Sequence, residues 1–262
     1  MSIQITPNTN RHYKILCLII ASKTDEYPQF EQQWRKHIEK VKSARQDIEF
    51  FFLYSSNTEM GEPFIDEVSN TITIPGKETL IPGIFNKTIQ SFMQTIHLDY
   101  EYLLRTNLSS FFDFQTLVSY LSSQSPANYT GTFLEISNEQ IEMTVQGGLK
   151  IRIPTIFLNG AAFIMSKDVV FDTIHTYSCM TCDELSYITQ LPDDVAISLI
   201  VANFYDWRNM RILPRGAPLV KITLSEIPDG IFHIRLKTPH MHSGSRRLDI
   251  ENMETLVNMI CY

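Results

Sequence analysis

Two stretches near the start of the chain are apolar almost throughout, residues 13–21 and 48–54, each of a length typical of a strand buried on both faces. Between them residues 27–44 are rich in Glu, Gln, Lys and Arg, and Phe30, Trp34, Ile38 and Val41 recur at the spacing of one helical stripe. A strand, a helix and a second strand in that order predict a right-handed crossover between parallel strands. Further along, residues 71–74 alternate as a strand does, residues 87–96 read as a helix after the Pro82-Gly83 turn, and residues 100–105 and 114–122 predict a strand and a helix. Residues 128–136 and 141–153 predict strands with turns at Ser137-Asn138 and Gly147-Gly148. Asn159-Gly160 leads into the apolar run 161–165, followed by helices over 167–176 and 193–203, the latter with Val195, Leu199 and Ala202 on one face. Late strands are expected over 219–224 and 231–236, and a closing helix over 250–260.

Strands alternating with helices, then a mixed second half, predict an α/β fold: a mixed, mostly parallel sheet flanked by helices. With no repeat, low-complexity tract or linker, residues 13–262 are expected to form a single domain after a flexible tail over 1–12. Open sheets of this kind bind ligands at the carboxyl ends of their strands, which directs attention to the loops after Ala21, Tyr54, Arg105 and Asn159.

Composition narrows the classes. The chain has 262 residues, 44% of them apolar, enough for a substantial core. A net charge of −7 argues against a general nucleic-acid binder, which needs an excess of Lys and Arg. No signal peptide or run long enough to span a bilayer is visible, so a soluble, cytoplasmic protein is expected, in the host cytoplasm if a virus encodes it. Cys17 sits in an apolar run; Cys179 and Cys182 form one CxxC without the further ligands zinc would require. No P-loop, GxGxxG, HExxH or GxSxG occurs.

Five segments could carry chemistry. Asp193-Asp194 stands between Pro192 and an apolar helix; locally this is a helix cap, and a carboxylate there could also remove a proton from an attacking hydroxyl. The acid-free segment 231–248 before Asp249 carries His233, Arg235, Lys237, His240, His242, Arg246 and Arg247, which suits a solvated loop or a diphosphate clamp. Arg105-Thr106-Asn107-Leu108-Ser109-Ser110 follows a buried strand and could contact a ligand or form a side-chain-bonded turn. Lys87 at an expected helix start is unfavourable for the helix dipole, which would suit a bound anion. Asn159, Gly160 and the small residues after them permit close approach, by a ligand or by neighbouring chain.

Taken in order, Thr106-Asn107-Leu108-Ser109, Gly160-Ala161-Ala162-Phe163-Ile164-Met165-Ser166, Pro192-Asp193-Asp194-Val195 and Phe232-His233 resemble the motifs of GT-A fold glycosyltransferases. The similarity is to the beta-1,3-galactosyltransferase and Fringe-like group and to small soluble transferases of large algal and amoebal viruses. The resemblance implies inverting transfer of a sugar from a UDP- or GDP-sugar donor to a glycan hydroxyl, with Asp194 as the base. It implies donor contacts from Ala21, Ser22, Lys23, Lys87, Arg105, Asn107, Ser109, His233, Arg235 and Lys237, and acceptor contacts from Asn159, Gly160 and Asp193. One departure is plain. The carboxylates that hold Mn²⁺ or Mg²⁺ in that group fall on Asn107 and Ser109, poor ligands for either ion. The resemblance leaves Mn²⁺ or Mg²⁺ open as a cofactor, while the missing carboxylates point to an enzyme that works without a metal, or to a non-catalytic nucleotide- or sugar-binding module on the same fold.

Overall fold

The computed structural model describes residues 11–123, 129–135, 141–144, 150–153, 156–206, 211–212, 215–216, 222, 230–237 and 246–262. The chain opens with β1 (His12–Ile20), α1 (Tyr27–Ala44), β2 (Ile48–Ser55), β3 (Phe64–Asp66), β4 (Thr71–Ile74), α2 (Gly83–Thr95) and β5 (Asp99–Asn107). It continues through β6 (Ser110–Phe112), α3 (Phe114–Ser123), β7 (Tyr129–Glu135), β8 (Ile141–Thr144), β9 (Lys150–Ile153) and β10 (Ile156–Ser166). Then come α4 (Lys167–Ser178), α5 (Cys182–Ile188), α6 (Asp193–Val201), β11 (Arg211–Ile212), β12 (Arg215–Gly216), β13 (His233–Arg235) and α7 (Arg247–Met259). No described helix is long and apolar enough to cross a membrane.

An eight-stranded sheet runs β11-β7-β10-β5-β1-β2-β4-β3. Strands β4, β2, β1 and β5 are mutually parallel; β10 is antiparallel to both β5 and β7. The apolar runs of β1 and β2 are explained by burial on both sides. Ile15, Cys17 and Ile19 enter one hydrophobic cluster together with Phe50 and Phe52; Leu16, Leu18 and Ile20 enter another with Phe51 and Leu53. Helices α1, α3 and α7 cover the first face, and α2, α4 and α6 the second. The expected stripe of α1 is buried as Phe30, Trp34, Ile38 and Val41. Burial of each of Phe30, Ile38 and Val41 contributes about 1.5–3 kcal/mol relative to an exposed side chain.

Several expectations need correction. Helix α2 begins at Gly83, so Lys87 lies in its second turn rather than at its start. In α6 the buried residues are Asp193, Val195, Ala196, Ile197, Ser198, Ile200 and Val201, and Ala202 is exposed. That helix is enclosed nearly all round, so an amphipathic stripe does not describe it. Strand β6 replaces part of the expected polar turn, and β3 and α5 had no clear pattern. The strands expected within 141–153 are present as β8 and β9, which pair with each other in a two-stranded sheet. The strand expected over 219–224 lies outside the described residues except for Ile222, as does the expected tail up to residue 10, and β1 already includes His12.

The chain leaves β1 through α1 on one face and reaches β5, the neighbour of β1, through α2 on the other. Strands β4, β2, β1 and β5 are parallel and end along one edge of the sheet, and ligands of open α/β sheets bind in the crevice outside such carboxyl ends.

Candidate functional site

A cleft of about 640 Å³ occupies that crevice. Ala21 and Ser22 from the end of β1, Arg105, Asn107 and Ser109 from β5 and its turn, Asn159 and Gly160 from β10, Asp193 and Asp194 from α6, and Arg235 and Lys237 from β13 all line it. These residues are scattered over more than two hundred positions in the chain, and the sheet order brings them to one place.

On one wall the two aspartates take different roles. Pro192 is the N-cap residue of α6, and neither aspartate occupies that position. Asp193 turns inward and pairs with Arg105, whose side chain is 2% exposed. Burial raises the Asp193 carboxyl above its ordinary value, against the pull of the guanidinium. Arg105 also donates to the carbonyl of Gly160, and its guanidinium carbon lies 5.6 Å from the centre of the Phe163 ring. Asp194 remains half-buried at the cleft. Its Oδ2 accepts the Gly160 N–H at 2.9 Å and its Oδ1 accepts the Val195 N–H at 3.0 Å. The second bond ties up a first-turn amide of α6, and both acids complement the positive end of the helix dipole.

Gly160 is where β10 departs from regular pairing with β7, its register shifting between Leu158 and Phe163. A Cβ on Gly160 would stand 3.2 Å from Asp194 Oδ2 and 3.3 Å from its Cβ. The glycine therefore permits the carboxylate to lie against the backbone, the packing reading of this small-residue segment. Asn159 Oδ1 accepts the Ala161 N–H at 2.8 Å and shapes the same irregular stretch.

The turn after β5 lines the same cleft. Asn107 donates to the Gly160 carbonyl at 3.2 Å, and its Oδ1 accepts from the hydroxyls of Ser109 and Ser110, each at 3.3 Å, and from Arg235. Arg235 Nη1 also reaches the Ser109 carbonyl at 3.3 Å and the Ser110 hydroxyl at 3.4 Å. Helix α1 supports the turn from beneath: Trp34 Nε1 donates to the Leu108 carbonyl at 2.9 Å and His37 Nε2 to the Phe112 carbonyl at 2.8 Å.

Three expected donor contacts do not reach the cleft. Lys87 is 1% exposed; its ammonium donates to the Ala21 carbonyl at 2.8 Å and pairs with Glu78 at 2.6 Å. It fixes the end of β1 instead of facing an anion. Lys23 lies over the Tyr54 ring, 5.3 Å from its centre. His233 is buried, stacked on Phe112 with ring centres 4.4 Å apart, and meets the Ser110 hydroxyl at 3.2 Å. His240 and His242 lie outside the described residues.

Other cleft residues had no assigned role in the sequence: Thr24, Asp25, Tyr27, Glu78, Thr79 and Leu80. Glu78 to Leu80 follow β4, another parallel strand whose carboxyl end points the same way as that of β1. That position was the available signal, whereas the expected loop after Tyr54 does not line the cleft.

No protein-family model matches the chain, and no curated protein is similar to it in sequence. Among solved structures the fold is similar to the galactosyltransferase LgtC, in complex with donor and acceptor sugar analogs, at 10% identity over 93% of this chain and 95% of the other, with a TM-score of 0.49. It is similar to a glycosyltransferase involved in glycosylation of the major capsid of PBCV-1, at 10% identity over 92% and 99%, with a TM-score of 0.47. It is also similar to the inositol-1-phosphate CTP transferase from T. maritima, at 8% identity over 96% and 99%, with a TM-score of 0.46.

Proposed function

We propose that the chain is an inverting glycosyltransferase that moves a sugar from a nucleoside diphosphate sugar to an acceptor hydroxyl. The observation that carries this reading is that both charges line one cleft. Asp194 presents a carboxylate held by two backbone amides, and Arg235 and Lys237 bring cations to the same cleft. Direct displacement at an anomeric carbon needs both: a base for the acceptor proton and positive charge for the departing diphosphate.

In this reading the acceptor hydroxyl attacks the anomeric carbon while its proton passes to an oxygen of Asp194. The bond from that carbon to the diphosphate oxygen breaks, and the diphosphate leaves with the electron pair toward Arg235 and Lys237. Ala21, Ser22, Asn107 and Ser109 border the donor. Asn159, Gly160 and Asp193 border the acceptor, Gly160 by shape, because its N–H and carbonyl already bond within the protein. Asp193 acts through Arg105, as the residue that keeps the bulge and the start of α6 together.

The test is a screen of UDP- and GDP-sugars for donor hydrolysis and for transfer to simple glycosides. Asp194→Asn is expected to lower transfer about 10²–10⁴-fold while nucleotide binding persists. Unchanged turnover would remove Asp194 as the base. A second reading, a binding module without catalysis, draws support from the two backbone bonds that already hold Asp194. Nucleotide-sugar binding with no hydrolysis and no transfer would favour it.

A further inference from the structure

The family that the sequence resembles holds a divalent cation between two carboxylates in the turn after the strand equivalent to β5. The residues standing there do not fit such an ion. Asn107 contributes a neutral amide and Ser109 a hydroxyl, and the Asn107 Oδ1 that would face a metal already accepts from a guanidinium. Mg²⁺ and Mn²⁺ favour anionic oxygen ligands and compete poorly at an atom held by a fixed positive group. Among the described residues no three His, Cys, Asp or Glu side chains converge to hold a metal ion.

We propose that the Arg235 guanidinium is the built-in cation of this cleft, seated where a metal-dependent enzyme would hold its ion, and that the chain binds nucleoside diphosphates without a divalent metal. The inference rests on the reading of the cleft as a nucleotide-sugar site. Two observations carry it, neither of which the sequence shows by itself.

The first is the geometry of delivery. Strand β13 pairs antiparallel with β6, which sets Arg235 opposite Ser110 and His233 opposite Phe112. Alternation sends Ile234 and Leu236 into the hydrophobic cluster and leaves His233, Arg235 and Lys237 on the other side of the strand. His233 is covered by Phe112, so of these three Arg235 and Lys237 line the cleft.

The second is rigidity. Arg235 Nη1 converges on Asn107 Oδ1, the Ser109 carbonyl and the Ser110 hydroxyl, so the head group is held by the same turn that would otherwise hold a metal. That turn is itself fixed by Trp34 from α1. A charge held in place needs little reorganisation as the diphosphate departs. Arginine also offers donors in a planar fork that matches phosphate oxygens, as a single ammonium does not.

The experiment is calorimetric titration of the full chain with UDP, GDP, CDP and ADP, in EDTA and then in Mn²⁺. The expected result is binding of at least one of the four in EDTA, with affinity changed less than about twofold by Mn²⁺. Arg235→Ala is expected to weaken that binding about tenfold or more, without rescue by Mn²⁺, and Arg235→Lys to restore part of it. A circular dichroism melt checks that each variant is folded. Should Arg235→Ala fail to fold, Asn107→Asp is the alternative. It keeps the side-chain shape but sets a carboxylate against the guanidinium, and it is expected to weaken binding in EDTA. Binding that requires Mn²⁺ overturns this inference and leaves the proposed function standing. Equal affinity in folded Arg235→Ala, or in Asn107→Asp where the first variant does not fold, overturns it as well. Absence of binding to all four nucleotides in both conditions overturns the proposed function and this inference together.

Discussion

The two ends of the β1–β5 pair carry similar charged groups in different surroundings. At the amino end His12 lies opposite Asp99 and bonds to it at 3.0 Å; it also meets Glu101 at 3.3 Å, and Lys14 pairs with Glu101. His12 and Asp99 are more than half exposed. At the carboxyl end Arg105 and Asp193 pair inside the wall of the cleft, and Lys87 and Glu78 pair beneath Ala21. The pairs are of the same kinds, but those at the carboxyl end draw partners from α2, α6 and the loop after β4 and lie away from solvent. At the open end water and salt screen each charge, so losing a partner changes little. At the cleft end loss of one partner strands the other in a poor dielectric. That difference makes the carboxyl end suitable for a site: groups there stay where the fold puts them.

The largest effect on stability is expected at the closed end. Arg105→Met leaves Asp193 buried without its cation and should destabilise the protein by about 3–5 kcal/mol, read by urea denaturation. Adding Asp193→Leu to the same chain should recover part of that loss. If Arg105→Met costs no more than a surface substitution, the contrast between the two ends collapses.

A site away from both ends sharpens the point, because it isolates burial from function. His37 is packed among Trp34, Phe111, Phe114 and Tyr262. Burial pushes it down to about 4, against the opposing pull of the Phe112 carbonyl and Asp113, with Lys40 adding to the depression. The folded protein therefore binds fewer protons than the unfolded chain, whose histidine titrates near about 6.5. The stabilisation is complete above about pH 6.5 and is lost progressively as the pH falls toward about 4, by about 3 kcal/mol in all. Denaturation at pH 7.5 and pH 4.5 measures the slope, and His37→Gln should flatten it. An unchanged slope in the variant would assign the acid sensitivity elsewhere.

The smallest effect belongs to the open end. Glu101→Gln breaks the contacts with Lys14 and His12, yet it should cost under about 1 kcal/mol, shrinking further in 0.5 M salt (roughly a 4 Å screening length). A loss comparable to that of Arg105→Met would mean that exposure is not what separates the two ends.

Local pattern revealed the framework because it reports burial. The runs 13–21 and 48–54 are apolar on both faces because helices cover both sides of β1 and β2. The stripe of α1 is visible because one side of that helix meets solvent. Helix α6 misled for the complementary reason: buried nearly all round, it has no dry stripe to read, and Leu199 and Ala202 did not mark its core face. Lys87 misled because a charged residue in sequence carries no sign of the carbonyl and carboxylate that await it across the sheet.

What the sequence determined by itself was most of the elements, the layered α/β arrangement, and the polar segments that could meet at the strand ends. Tertiary structure alone decided how those segments divide the work. Arg105 finds Asp193 across 88 positions and Arg235 finds Asn107 across 128. Those meetings depend on sheet order and strand register, and a shift of one residue in β13 would turn Arg235 toward the core and Ile234 toward the cleft. Periodicity along a chain encodes which side of an element is buried, whereas the partner of a polar group is set by elements far away in sequence. The Asp193-Asp194 pair shows both: its helix start was legible, but the assignment of one carboxylate to the wall and the other to the cleft came from Arg105 and Gly160.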